Sequence, residues 1–276
     1  NEGGFYPEIK TDKFGFNNNN NTYKNEIELV FIGDSFVEGA DVESKDNIPS
    51  YFLNKGFSAI NLGKSQSGPL VQLAILKEYA KKLKPKKLVW IYYENDHKDF
   101  VNEVYSPLML KYLNEPNFSQ DLFSRHDEID IVLEKYLNLK ENEFLNNNTQ
   151  NLSYSQKSYD RKKFFLKRVV RVLKLYNIRN KLNLMIDMKP IPVSQKNIEL
   201  IKKVILSAEK EVNEWGGEFT FFYLPQYNGK FSFISQESHW IKKTSVKDQI
   251  ILFLKEKGIT NYDLTNSIKS HEDLKS

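Results

Sequence analysis

Short apolar runs alternate with helix-patterned segments along this chain, and that alternation constrains its fold more than any other feature. The runs are Leu29–Ile32, Ser58–Leu62, Leu88–Tyr93, Phe219–Leu224 and Ile259–Leu264. Between them lie segments patterned as helices, over Ile48–Lys55, Leu70–Leu83, Asn197–Glu214 and Ser245–Lys257. In the second of these, Leu70, Leu73, Ala74, Leu76, Ala80 and Leu83 recur at helical spacing. A strand buried on both faces reads as a short continuous apolar run, and parallel strands need a crossover, usually a helix, between them. The pattern therefore predicts an α/β fold: three α/β/α layers around a central parallel sheet of about five strands.

Two stretches fall outside the alternation. Residues 1–26 are polar and rich in Gly and Asn, with an Asn run from Asn17 to Asn21, and read as an extended lead-in to the domain at 27–276. From about 100 to 194 the chain is rich in Leu, Lys, Asn and Tyr, and reads as a helical insertion closed by Pro190 and Pro192. Within it, residues 161–182 hold nine Lys or Arg and no acid. Phe165, Val169, Val172, Leu173 and Tyr176 share one helical face there. The ordinary reading is an amphipathic helix packed on the domain; the sharper one is peripheral contact with an anionic membrane surface or an acidic polysaccharide.

Composition narrows the classes of function. With 276 residues, 40% of them hydrophobic, the chain can bury a sizeable core. A formal net charge of +4 is small for this length and gives no reason to expect a nucleic-acid partner. No Cys is present, which removes disulfides, thiolate metal sites and cysteine nucleophiles. No pair of the four His stands at ligand spacing, so neither a metal nor any other cofactor is expected. No apolar stretch reaches the roughly 18 residues of a membrane span.

In doubly wound sheets, ligands sit beyond the carboxyl ends of the strands. Three loops at that edge carry chemistry. Gly33-Asp34-Ser35 follows the first strand, Asn61 to Pro69 (N-L-G-K-S-Q-S-G-P) follows the second, and Tyr92 to His97 (Y-Y-E-N-D-H) follows the third. Acyl transfer needs a nucleophile, donors for the oxyanion, and an oriented base. Ser35 can expose its hydroxyl at a strand-to-helix turn and offer its own backbone N–H. The second loop can add another N–H, and Asn95 an amide. One such donor is typically worth about 3–4 kcal/mol in the transition state. The plainer alternatives are a helix cap for Ser35, a turn-stabilising carboxylate for Asp34, and loop bracing for Asn95.

These residues resemble the SGNH hydrolases, also called GDSL esterases. Gly33-Asp34-Ser35 is similar to the family's first block, Asn61 to Pro69 to its second, and Asn95-Asp96 to its third. The segment T-D-K-F-G-F-N-N, residues 11–18, resembles the stretch before the first block in many bacterial, membrane-anchored members. The resemblance implies a flavodoxin-like strand order and a cell-envelope setting. It also implies a serine-dependent hydrolase or O-acyltransferase acting on a small acyl ester or acylated glycan. It makes Ser35 the nucleophile, with Asn95 and Gly63 as oxyanion donors. Asp34, Gln66, Gly68 and His97 are secondary candidates.

Three departures stand out, the first being Glu94 where many members have a glycine just before the third-block Asn. The second block usually reads N-L-G-x-x-G-x-G-P, and here Gln66 occupies the central glycine position, which leaves Gly63 or Gln66 as the loop's N–H donor. The family's final D-x-x-H block, source of its base, is absent. The expectation is a fragment cut before its catalytic Asp and His, with His97 and His239 as weaker alternatives. An SGNH-like scaffold that binds glycan or a protein partner without catalysis is the second reading. A nucleotide-binding domain is the third, and neither G-x-G-x-x-G nor a P-loop appears.

Overall fold

The computed structural model describes residues 9–24, 26–154, 193–225 and 245–270. Among them, five strands form one all-parallel sheet: β1 (Leu29–Gly33), β2 (Ala59–Asn61), β3 (Lys87–Tyr93), β4 (Glu218–Leu224) and β5 (Asn261–Asp263). Their order is β2-β1-β3-β4-β5. The chain steps from β1 to β2 on one side, then crosses back to place β3 on the other, so strand order reverses between β1 and β3. The register sets Leu29 beside Lys87 and Gly33 beside Ile91. The carboxyl ends of β1 and β3 thus open side by side at the position where such sheets bind ligands.

Alternate side chains build two cores. On one face Val30, Ile32, Ile60, Leu88, Trp90, Tyr92, Phe219, Phe221 and Tyr223 pack against helices α3 (Pro69–Ile75), α7 (Gln195–Glu214) and α8 (Ser245–Glu256). On the other, Phe31, Ala59, Val89 and Ile91 pack with Val37 of α1 (Ser35–Glu38) and with Ile48 and Phe52 of α2 (Ile48–Asn54). Helices on both faces make the three layers that the alternating pattern predicts. The helix begun by α3 runs on through a π segment, Leu76–Ala80, and a last turn, Lys81–Leu83.

The described part of the lead-in is not extended from Asp12 onward. Asp12 accepts from the Phe14 and Phe16 N–H groups and from the Tyr23 hydroxyl (2.8, 3.0 and 2.5 Å), folding this stretch into a turn. Asn18 then pairs with the edge of the sheet: its Nδ2 donates to the Asn61 carbonyl, and its Oδ1 accepts from the Asn61 N–H, both at 2.8 Å. The Asn-rich segment does the work of a neighbouring strand.

The insertion also begins later than the composition indicated. Helices α4 (Asp96–Glu103) and α5 (Pro107–Asn114) belong to the sheet-bearing unit, where Phe100 and Tyr112 are fully buried. Buried Glu78 anchors this stretch, accepting from the Tyr112 hydroxyl at 2.6 Å and the Leu122 N–H at 2.8 Å. A second compact unit starts at Arg125, and of it the structure describes α6 (His126–Tyr154). The basic segment 161–182 lies outside the described residues. Among the described residues, no helix is long and apolar enough to cross a membrane. Helix α9 (Thr265–Ser270) follows β5.

Candidate functional site

The stretch D-S-F-V-E-G is one helical turn with both ends capped. Asp34 is the N-cap, its Oδ1 accepting from the Phe36 N–H at 2.9 Å. Gly39, in the left-handed conformation, closes the turn by donating to the Ser35 carbonyl at 3.0 Å. Asp34 therefore does the capping that a serine could have done, and the Ser35 hydroxyl is left over. Among the described residues its one partner is Asp34 Oδ2, at a long 3.5 Å. The Ser35 N–H, first in its helix, has no hydrogen-bond partner among the described residues.

The loop after β2 is held amide by amide. Asn61 Oδ1 accepts from the Gly63 N–H at 2.8 Å. The Lys64 N–H donates to the Gly33 carbonyl at 3.0 Å, and the Ser67 N–H to the Lys64 carbonyl at 3.2 Å. Glu38, at the end of α1, accepts from the Ser65 N–H at 2.8 Å and pairs with Lys64 at 3.0 Å. Glu103, at the end of α4, accepts from the Gly68 N–H at 2.6 Å and the Leu70 N–H at 2.9 Å. Gln66 alone between Gly63 and Gly68 has an N–H without a partner among the described residues. Its φ of 63° is left-handed, the conformation that suits the glycine of the related pattern.

This corrects two expectations. The Gly63 and Gly68 amides are both engaged, so neither is free to meet an oxyanion. Both residues are glycine because of close approach. A Cβ on Gly63 would run into the Val37–Glu38 backbone of α1, and one on Gly68 would sit 2.7 Å from the Phe100 N.

At the end of β3, Asn95 opens α4 but makes no capping bond with its side chain. Its Oδ1 is buried without a partner, as is Asp96 Oδ1 beside it. Loop bracing by the Asn95 side chain is thus not what the structure contains. Asp96 Oδ2 accepts from Gln72 Nε2 (3.0 Å) and the Tyr93 N–H (3.3 Å). Gln72 Nε2 also donates to the Ser67 carbonyl at 2.8 Å, and its Oε1 accepts from Trp90 Nε1 at 2.5 Å. Phe36 and Tyr93 pack across the switch point with ring centroids 4.2 Å apart and planes tilted by 42°, bringing the loops after β1 and β3 together.

The electrostatics of this edge are acidic. Burial, with neighbouring carboxylates, pushes Asp34 up and Asp96 far up from the ordinary carboxylate range, and burial raises Asp99. Burial also pushes Glu103 up to about 7, against the pull of its backbone N–H partners. His97 moves the other way: burial and then Lys98 bring it down to about 4, so it is neutral at pH 7. Its ring donates to the Glu94 carbonyl, and no bond joins it to Ser35. An imidazole engaged on the Glu94 carbonyl, not bonded to Ser35 and lowered in basicity by burial, does not fit the role of base to this serine. His239 and His271 lie outside the described residues.

No protein-family model matches the chain, and no curated protein does. Assignment of the site therefore rests on its geometry. Among the described residues, no group of three His, Asp or Glu is arranged to hold a metal ion. A groove of about 770 Å³ lies over the second face of the sheet, lined by Phe31, Val89, Ile91, Phe222 and Tyr262, and none of the candidate residues lines it. Sequence reading missed Glu38, Gln72 and Glu103. One signal pointed to a missing partner: α3 starts at Gly68-Pro69, with no side chain able to cap it.

Proposed function

We propose that this chain is a serine-dependent acyl-ester hydrolase or O-acyltransferase of the SGNH type, taking a small acyl ester or an acylated glycan. The observation that carries the reading is the set of unengaged groups at the switch point. Among the described residues, Ser35 has a free N–H and a hydroxyl with only a long contact, Gln66 has the one free amide of its loop, and Asn95 has a side-chain amide that braces nothing. Structural polar groups are normally paired, and groups held unpaired at a ligand-binding edge are candidates for partners that arrive with substrate.

In this reading the Ser35 oxygen attacks the acyl carbonyl. The N–H groups of Ser35 and Gln66 and the Asn95 amide take the charge that develops on its oxygen. An imidazole from outside the described residues takes the serine proton and returns it to the departing alcohol. Water or a sugar hydroxyl then accepts the acyl group, and that choice separates hydrolysis from transfer.

The second reading, a non-catalytic scaffold binding glycan, draws on one observation: among the described residues no imidazole is bonded to Ser35 Oγ. A single comparison separates the two. The full-length protein is expected to hydrolyse a short-chain activated ester, with Ser35→Ala lowering kcat by at least about a thousandfold. Equal turnover by the variant removes Ser35 as nucleophile. No turnover by either, with retained binding of an acylated oligosaccharide, favours the scaffold.

A further inference from the structure

Helix α4 carries Asn95 at its start and Glu103 at its last residue, and it is tied to the loop after β2 at both ends, through Gln72 of α3 at the first and directly at the second. At the first turn, Asp96 reaches the Ser67 carbonyl through the Gln72 amide. At the last turn, the Glu103 carboxylate takes the N–H groups of Gly68 and Leu70 at 2.6 and 2.9 Å, and that of Val71 as well. Those amides are the open N-terminus of α3, whose own cap position is a glycine with no side chain to offer. A carboxylate is the favoured partner for such amides. Here it arrives from another helix, 35 residues further along the chain.

We infer that Glu103 is a positioning residue for the oxyanion site, holding the N–H groups of Gly68, Leu70 and Val71 so that the Gln66 backbone keeps its left-handed turn and its N–H stays unspent. The inference rests on the acyl-ester reading above, and it explains why two donors from different loops keep one relative position. Asn95 and the Glu103 clamp share a single two-turn helix. A shift in α4 moves both donors together, and loss of the clamp frees one from the other. The Ser67 N–H and Oγ close a turn across Gln66 on the Lys64 carbonyl (3.2 and 2.6 Å), yet αL is disfavoured for a residue with a Cβ, so the flanks of that turn have to be held. Glu38 grips Ser65 on one side of Gln66, and Glu103 grips Gly68 on the other.

The test combines kinetics with amide hydrogen exchange on the intact protein and on Glu103→Ala and Glu103→Gln. For Glu103→Ala, kcat on an activated ester is expected to fall about tenfold to a hundredfold, with KM within about twofold. Glu103→Gln retains one acceptor oxygen and should recover part of that loss. Exchange at Gly68, Leu70 and Val71 should quicken in Glu103→Ala while the β1 and β3 amides keep wild-type rates. An unchanged exchange pattern overturns the clamp. Faster exchange with unchanged kcat overturns its positioning role. If Glu103→Ala loses its fold, Glu103→Gln carries the same two readouts. Absence of turnover in the wild type is a different result: it refutes the acyl-ester reading itself, whatever the exchange data show.

Discussion

Asn61 and Asn95 stand at matching places, one at the carboxyl end of β2 and the other just past the carboxyl end of β3, and the structure treats them in opposite ways. Asn61 spends everything it has. Its Nδ2 donates to the Val37 carbonyl at 2.7 Å, its Oδ1 accepts from the Gly63 N–H, and its backbone pairs with Asn18. It ties β2, α1 and the lead-in into one body. Asn95 holds a buried Oδ1 with no partner and makes no cap. An unsatisfied buried oxygen costs about 1–3 kcal/mol, and a merely structural residue would be better replaced by one without it. The contrast separates the asparagine that builds the edge from one whose side chain the fold leaves unspent, and whose Nδ2 our proposal sets against the oxyanion.

The strongest way to break this comparison is to remove the Asn95 side chain. Asn95→Ala should lower kcat on an activated ester by about a hundredfold to a thousandfold, with KM little changed. The melting temperature should hold or rise, since an unpaired buried oxygen leaves with the side chain. Steady-state kinetics beside a thermal melt would show both. A variant that loses stability and keeps its kcat would make Asn95 structural after all.

The complementary change is Asn61→Ala. It strands the Gly63 N–H and the Val37 carbonyl in the interior and should cost about 2–4 kcal/mol in urea unfolding. A change under about 0.5 kcal/mol would show that the lead-in and α1 hold the edge without it.

Much of the frame was legible before any coordinates. The five strands announce themselves because parallel strands covered on both sides are apolar at nearly every position, as in Leu88 to Tyr93. The insertion boundary was not legible, because α4 is polar and α5, though largely apolar, is only two turns long, and nothing in either names its partner. Their membership is decided by distant partners, such as Tyr112 on Glu78. At the site, Ser35, Gln66 and Asn95 could be picked out as candidates from loop position and motif. Which amide of the second loop is free could not. Glu38 and Glu103 reach Ser65 and Gly68 from 27 and 35 residues away, and no local pattern encodes such bonds. Gly63 misled for a specific reason: a glycine needed for close packing and one needed as a donor look identical in sequence.

Gln66 offers the smallest effect and the finest distinction. If only its backbone N–H matters, the side chain is a burden, because a left-handed φ of 63° disfavours any residue with a Cβ by roughly 1–2 kcal/mol. Glycine removes that penalty but adds chain entropy to the unfolded state, about 0.5–1 kcal/mol in the other direction. Gln66→Gly should therefore stabilise the protein by up to about 1 kcal/mol in urea unfolding and leave kcat within about twofold, since the exposed side chain has no bond to lose. A loss of stability would mean that the flanking Glu38 and Glu103 grips do not suffice to hold the turn. A large fall in kcat with stability intact would move the chemistry from the Gln66 backbone to its amide side chain. That would leave the end of β2, like the end of β3, with a side chain held in reserve.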